Sequence, residues 1–171
     1  VVDVVTGVSE PAAVAAAADG RAYVGTGSAF QDSISVIDPA AHAGTETVPL
    51  APGVRDLVAN GQLVYASRTG DTFADVAVFD AATGRIDTID LAVEPGAVAG
   101  CLAISPDGRR LYVAVQRPVG SDVVVIDTHR RCLIGTVAPS SPVRGIAVSA
   151  DGATVYLAGS DDTLGGVIDI V

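Results

Sequence analysis

The stretch "ISPDGRRLYVAV" (104–115) decides how this chain is read, because it is not alone. A weaker copy, "VSADGATVYLAG", stands at 148–159, and a third, "AAADGRAYVGTG", at 16–27. The four tyrosines, Tyr23, Tyr65, Tyr112 and Tyr156, are spaced 42, 47 and 44 residues apart, each inside a short apolar run. A second marker, an apolar pair followed by Asp, ends at Asp38, Asp80, Asp127 and Asp169, with spacings of 42, 47 and 42. Two independent markers on one period make an internal repeat.

Within a period every signal is strand or turn. "ADG", "NG", "PDG" and "ADG" (19–20, 60–61, 107–108 and 151–152) read as tight turns between two strands. The strand ending in "VID" meets a turn that its Asp caps by accepting backbone N–H groups. A last strand follows, as in "RIDTIDL" and "CLIGTVA". Each period is thus four antiparallel strands, A to D. Runs such as "DVVVID" are apolar on both faces, which a sheet sandwiched between two others requires. Sheets of this size stacked face to face around an axis are blades of a β-propeller. The expectation is an all-β chain forming one domain of four blades, at about 12–50, 54–91, 100–138 and 143–170.

The ends set how such a ring closes. The chain opens on "VVDVVTGVSEP", which aligns with the D strand and following loop "CLIGTVAPSSP" (132–142), and it ends on the C strand "GVIDIV". Residues 1–6 are therefore expected to complete the last blade beside 164–170, leaving no open edge there. This permits a four-bladed monomer, an eight-bladed homodimer sharing strands, or a piece of a longer propeller. The small residues of "AAVAAAA" (12–18) suit a narrow four-bladed axis. Ser9, Pro11 and Gly20 around that stretch also frame a helix. The alignment of Asp19, Gly20 and Tyr23 with the other repeats overrides that propensity. The absence of an initiating Met and of a signal peptide points to a mature or excised chain.

"GCLAISPDGRRLYVAVQRPVGSDVVVIDTHRRCLIGTVAPSSP" (100–142) and "PVRGIAVSADGATVYLAGSDDTLGGVIDIV" (142–171) resemble the YVTN-type β-propeller repeat. The resemblance spans the chain, strongest in the last two periods and weakest in the first. It specifies fold well and activity hardly at all. It implies an extracytoplasmic protein, secreted or at the cell surface. With no Trp and no Gly-His pair, the WD40 pattern fits poorly.

Composition narrows function by exclusion. The net charge is −10, and all ten basic residues are Arg. No basic face is available for a nucleic-acid backbone. An Arg-only basic set with Ala, Val, Gly and Asp in excess points to a GC-rich genome, such as an actinobacterial one. No apolar run of membrane-spanning length is free of charge, Gly or Pro. His42 and His129, the only histidines, both fall in C-to-D turns, too far apart for a His-rich metal centre or a catalytic triad. Cys101 opens an inner strand and Cys132 an outer one, farther apart than the roughly 4.4–6.8 Å between the Cα atoms of a disulfide. Gly25-x-Gly27 opens no helix and is no dinucleotide motif. The Asp-Gly turns lack the ligand series of a calcium loop. Asp161 and Asp162 are read as a solvated loop before a calcium site. No cofactor is expected, although an ion held by backbone carbonyls on the axis, as in hemopexin-like propellers, stays open.

What remains is the face carrying the B-to-C loops, whose tips differ while the framework repeats. Arg55 and Arg144 occupy matching places where inner strands begin in blades two and four. In a four-bladed ring they oppose each other and can clamp a carboxylate or phosphate; pairing with Asp56 or other acidic neighbours is the bland alternative. Asp32, Arg68, Asp71, Arg117, Asp122, Asp161 and Asp162 form the expected rim. The expected function is a non-catalytic binding or scaffold domain with a protein or glycan partner. The alternatives are part of a lactonase-like or quinoprotein-like enzyme, or a purely structural surface or oligomerisation module.

Overall fold

The computed structural model describes residues 4–27, 32–39, 43–50, 53–161 and 165–171. Among the described residues, fifteen strands form four separate antiparallel sheets. The first holds β1 (Pro11–Ala16), β2 (Ala22–Thr26), β3 (Ser33–Asp38) and β4 (Ala43–Pro49). The second holds β5 (Val54–Asn60), β6 (Leu63–Thr69), β7 (Ala74–Asp80) and β8 (Arg85–Asp90). The third holds β9 (Val98–Ile104), β10 (Arg110–Gln116), β11 (Ser121–Asp127) and β12 (Cys132–Val137). The last holds β13 (Val143–Val148), β14 (Val155–Asp161) and β15 (Gly165–Ile170). Strand order within each sheet is sequential, and β1, β5, β9 and β13 form the inner row along which neighbouring sheets touch.

The turn between β9 and β10 shows why the repeat spells Ser-Pro-Asp-Gly. The Ser105 hydroxyl donates to Asp107 at 2.6 Å and accepts the Arg110 N–H at 2.9 Å, while Asp107 also accepts the Arg109 N–H at 3.0 Å. Gly108 stands at φ +71°, where a side chain is strained. The turn between β13 and β14 repeats this pattern with Ser149, Asp151, Ala153 and Thr154. The Asp that ends strand C also acts as expected. Asp80 Oδ1 accepts the Ala82 N–H at 2.9 Å, and Asp127 Oδ1 accepts that of Arg130 at 2.8 Å.

Period-two alternation makes each inner sheet two-sided. In the second sheet Val64, Ala66, Ala77 and Phe79 pack against the first sheet, with Tyr23, Ile34 and Val36 opposite them. Tyr65, Val76 and Val78, on the other face, pack against Leu102, Leu111 and Val113 of the third. A third cluster joins Tyr112 and Val123 to Val155 and Leu157 of the last sheet. The repeated Tyr is thus the residue that each sheet presents to the next one.

The stretch 12–18 does not form a helix: Pro11–Ala16 is strand β1, paired with β2. Ala13, Ala15 and Ala17 lie against the second sheet, which approaches so closely that a Cβ on Gly25 would come within 2.7 Å of Val54 Cγ1.

The four-bladed closure is corrected by the structure. The four sheets form an open arc, and among the described residues the last has three strands. Val4 to Ser9 contain no strand, and among the described residues none joins the free side of β15; residues 1–3 and 164 of the expected pairing lie outside the described ones. The physical sign is burial. Tyr23, Tyr65 and Tyr112 are 1%, 1% and 6% exposed, whereas Tyr156 is 41% exposed, beside Ile168 at 62% and Ile170 at 71%. A closed ring buries that face against the first sheet, whose own outer Val14 is 67% exposed.

Candidate functional site

Every inner strand carries one irregularity near its start. Partners run from Pro11–Thr26 to Ala13–Gly25, skipping Ala12. In the second sheet they run from Val54–Arg68 to Asp56–Ser67, skipping Arg55. In the last they run from Val143–Gly159 to Gly145–Ala158, skipping Arg144. In the third, Gly100 and Cys101 stand opposite Ala114 alone. These are β-bulges, which interrupt the ladder and re-aim a side chain. Arg55 and Arg144 are therefore not merely matching in sequence: each is the bulged residue of its blade, and each is exposed.

A bulge leaves backbone groups without ladder partners, and the neighbouring sheet supplies them. The Ser67 hydroxyl donates to the Gly100 carbonyl at 2.6 Å. Asp56 Oδ2 accepts the Leu102 N–H at 3.0 Å, and the Thr69 hydroxyl accepts the Ala99 N–H at 2.9 Å. Asp56 is thus turned toward the third sheet rather than paired with Arg55, which makes no hydrogen bond or ion pair among the described residues. Arg144 donates from Nε to the Ser160 hydroxyl at 3.3 Å and has no carboxylate partner among the described residues. Burial, and then the charge of Asp56, push the Cys101 thiol up to about 11. Both cysteines are free, as the strand assignment required.

The expected rim divides in two. Arg68 is buried, and its guanidinium donates from Nε and Nη2 to the two oxygens of Asp75, both at 2.8 Å. Arg117 pairs with Asp122 at 2.5 Å and also with Glu94, tying its loop to the connection between the second and third sheets. These arginines serve the framework, because strand C begins with a carboxylate that an arginine from the end of strand B neutralises. The signal was present: the hairpin register places Arg68 directly opposite Asp75. Asp32 is buried as well, and its Oδ2 accepts the N–H groups of Gly53 and, at 2.8 Å, Val54. Asp71 is exposed. The side chain of Asp161 and the whole of Asp162 lie outside the described residues, as does His42.

Asp32, Gly53, Arg55, Thr69, Asp71 and Phe73 share a cavity of about 610 Å³ between the first and second sheets, on the face that carries the B-to-C loops. Gly53 permits it. At φ +99° its place for a Cβ lies 1.7 Å from the Thr69 carbonyl oxygen, so no larger residue fits. His129 is exposed in the turn between β11 and β12. Among the described residues no cluster of three or more His, Cys, Asp or Glu stands ready for a metal, and no helix is long and apolar enough to cross a membrane.

No protein-family model matches the chain. It is 36% identical, over its whole length, to 52% of the seven-bladed beta-propeller protein Rv1057 of Mycobacterium tuberculosis. It is also 41% identical over 69 residues, 40% of this chain, to 19% of a seven-bladed beta-propeller protein of Mycolicibacterium smegmatis. The chain spans about half the length of the first of these relatives and less of the second. Among solved structures it resembles hydrazine synthase of Kuenenia stuttgartiensis, with a TM-score of 0.78 at 19% identity over 94% of this chain and 50% of that one. It also resembles TolB of Acinetobacter baumannii, with a TM-score of 0.69 at 13% identity over 92% of this chain and 40% of that one. At such identities the structural likeness establishes the fold alone: four successive antiparallel sheets on an open arc of a β-propeller.

Proposed function

We propose that this chain is part of a seven-bladed propeller with YVTN-type repeats, and that it serves as a non-catalytic binding module for a protein or glycan partner. The fifteen strands among its described residues are about half of the roughly 28 in seven four-stranded blades, in keeping with the half of the Mycobacterium tuberculosis relative that it spans. The observation that carries the binding reading is the pair of bulged arginines. Arg55 and Arg144 repeat at one structural position, project from the ladder, and lack a carboxylate partner among the described residues. A framework arginine in this chain looks different, as Arg68 does.

The seven-bladed reading changes their relation. In a four-bladed ring the two guanidinium groups face each other; around seven blades they sit roughly 100° apart on the axis. They then grip separate anionic groups of an extended partner, not one shared group. The test is a pull-down and glycan-array screen with wild type and the Arg55→Ala/Arg144→Ala variant. Loss of each charge-assisted contact weakens binding about tenfold to hundredfold. A partner that binds both forms equally, or that maps to the turn around His129, removes this face from consideration.

A further inference from the structure

Three of the four turns after strand A carry Asp-Gly, at Asp19–Gly20, Asp107–Gly108 and Asp151–Gly152, whereas the second sheet carries Asn60–Gly61. Asn60 is the only asparagine of the chain. The three carboxylates are held in place. Asp19 accepts the N–H and Nε of Arg21, Asp107 the Ser105 hydroxyl and the Arg109 N–H, and Asp151 the Ser149 hydroxyl and the Ala153 N–H. The Asn60 side chain is not tied in this way. It makes no hydrogen bond among the described residues, and Asn60 is exposed at the last pair of its hairpin, opposite Leu63. Its amide lies against Gly108 of the next sheet, where an added Cβ would come within 1.8 Å of Nδ2 and 2.9 Å of Cγ. Gly61 and Gln62 close the hairpin, with Gly61 at φ +60°. The Gly61 N–H has no acceptor among the described residues, and no atom lies within 4 Å of where a Gly61 Cβ would stand. An amide carbon and a following nitrogen are thus both unoccupied and open to solvent.

We infer that Asn60 is a site of spontaneous deamidation in the folded protein, with water as the co-reactant. The Gly61 nitrogen loses its proton to solvent and attacks Asn60 Cγ. A new C–N bond closes a succinimide ring, and the bond from Cγ to Nδ2 breaks to release ammonia. Water then adds to one of the two ring carbonyls. Opening at Cγ leaves an aspartyl residue at position 60. Opening at the main-chain carbonyl leaves an isoaspartyl residue, whose side-chain carbon now carries the backbone. Nothing is oxidised or reduced: amide plus water becomes carboxylate plus ammonium. Glycine in the next place leaves the attacking nitrogen unshielded by a side chain. An ionised carboxylate is a poor electrophile, so the held aspartates of the other turns do not share this reactivity. Both products put a new negative charge beside the Gly108 turn. The aspartyl form restores the Asp-Gly spelling of the other sheets. The isoaspartyl form lengthens β5 at its closing pair with β6, the two strands that carry Arg55 and Arg68. The inference does not depend on the binding reading.

The test incubates the full 171-residue chain at neutral pH, folded and, in parallel, unfolded in urea. Cleavage after Arg55 and Arg68 releases peptide 56–68, in which Asn60 is the sole asparagine. The expected result is ammonia release and one added negative charge on isoelectric focusing. Mass spectrometry of peptide 56–68 finds position 60 converted to aspartyl and isoaspartyl forms. The folded chain reacts within about tenfold of the rate in urea, because the exposed hairpin end need not open first. Asn60→Gln keeps an amide but must close a larger ring, so the folded variant loses the charge step. A folded rate more than about tenfold below the rate in urea means that the hairpin shields the pair, and it overturns the inference. So does a charge step that persists in Asn60→Gln, or one that maps to Gln62 within the same peptide.

Discussion

The Arg68 guanidinium meets both oxygens of Asp75 at 2.8 Å, with its Nη2 also 3.5 Å from the Thr88 hydroxyl. Both partners are buried. Removing one member of such a pair strands the other charge where water cannot reach it. Arg68→Ala is therefore expected to cost about 3–5 kcal/mol in urea unfolding. Arg55→Ala and Arg144→Ala, which remove exposed side chains, are expected to stay within about 0.5 kcal/mol. If Arg68→Ala unfolds at the wild-type midpoint, the pair is not the tie described here. These arginines look alike in sequence, each one residue from the end of a strand. Burial tells them apart, and burial depends on the neighbouring sheet, which a single period does not encode. The register Arg68–Asp75 was readable from the hairpin alone; the contact of Asp32 with Gly53 and Val54 was not, because it arises where two sheets meet.

At the scale of the element, the repeat was legible because its markers do local work. Ser and Asp in the turn after strand A, and Asp at the end of strand C, satisfy backbone groups within a few residues. The bulges were not legible. A bulge is a mismatch between two strands, and no residue type requires it at Arg55 or Arg144. The turn carboxylates carry a pH dependence. In Asp107 the Ser105 hydroxyl and then the Arg109 N–H lower the pKa below its ordinary 3.8. The Ser149 hydroxyl and the Ala153 N–H do the same for Asp151. A depressed folded pKa gives stability that is present above the unfolded value and lost as pH falls through the folded one. The melting temperature is therefore expected to hold from neutral pH down to about 4 and to fall below it. In Asp107→Asn/Asp151→Asn this acid limb becomes shallower. A double variant whose melting temperature tracks wild type down to pH 2 assigns the acid sensitivity to other groups, Asp80 and Asp127 first among them.

At the scale of the whole molecule, the period alone could not count the blades. Residues within a sheet dictate strands and turns, whereas the angle between sheets is set by side-chain volume at their contact, and any number of blades reuses the same local sequence. One residue type now reports on completion. Tyr65 and Tyr112 are buried against a following sheet, whereas Tyr156, at the same repeat position, faces outward with Ile168 and Ile170. In this chain Tyr65→Ala and Tyr112→Ala are expected to cost about 3–5 kcal/mol each, as large aromatic truncations in cores do. Tyr156→Ala is expected to cost under about 1 kcal/mol, since it removes partly exposed surface and leaves no cavity. Urea unfolding of the three single variants measures this directly. Equal losses at all three positions mean that the last sheet is already covered and the open arc is wrong. The same substitutions in a polypeptide that supplies the remaining blades decide the seven-bladed reading. There a fifth sheet lies on Tyr156, and Tyr156→Ala becomes as costly as Tyr65→Ala; a Tyr156 that stays inexpensive to remove in that longer chain rules out packing of a next blade on this face.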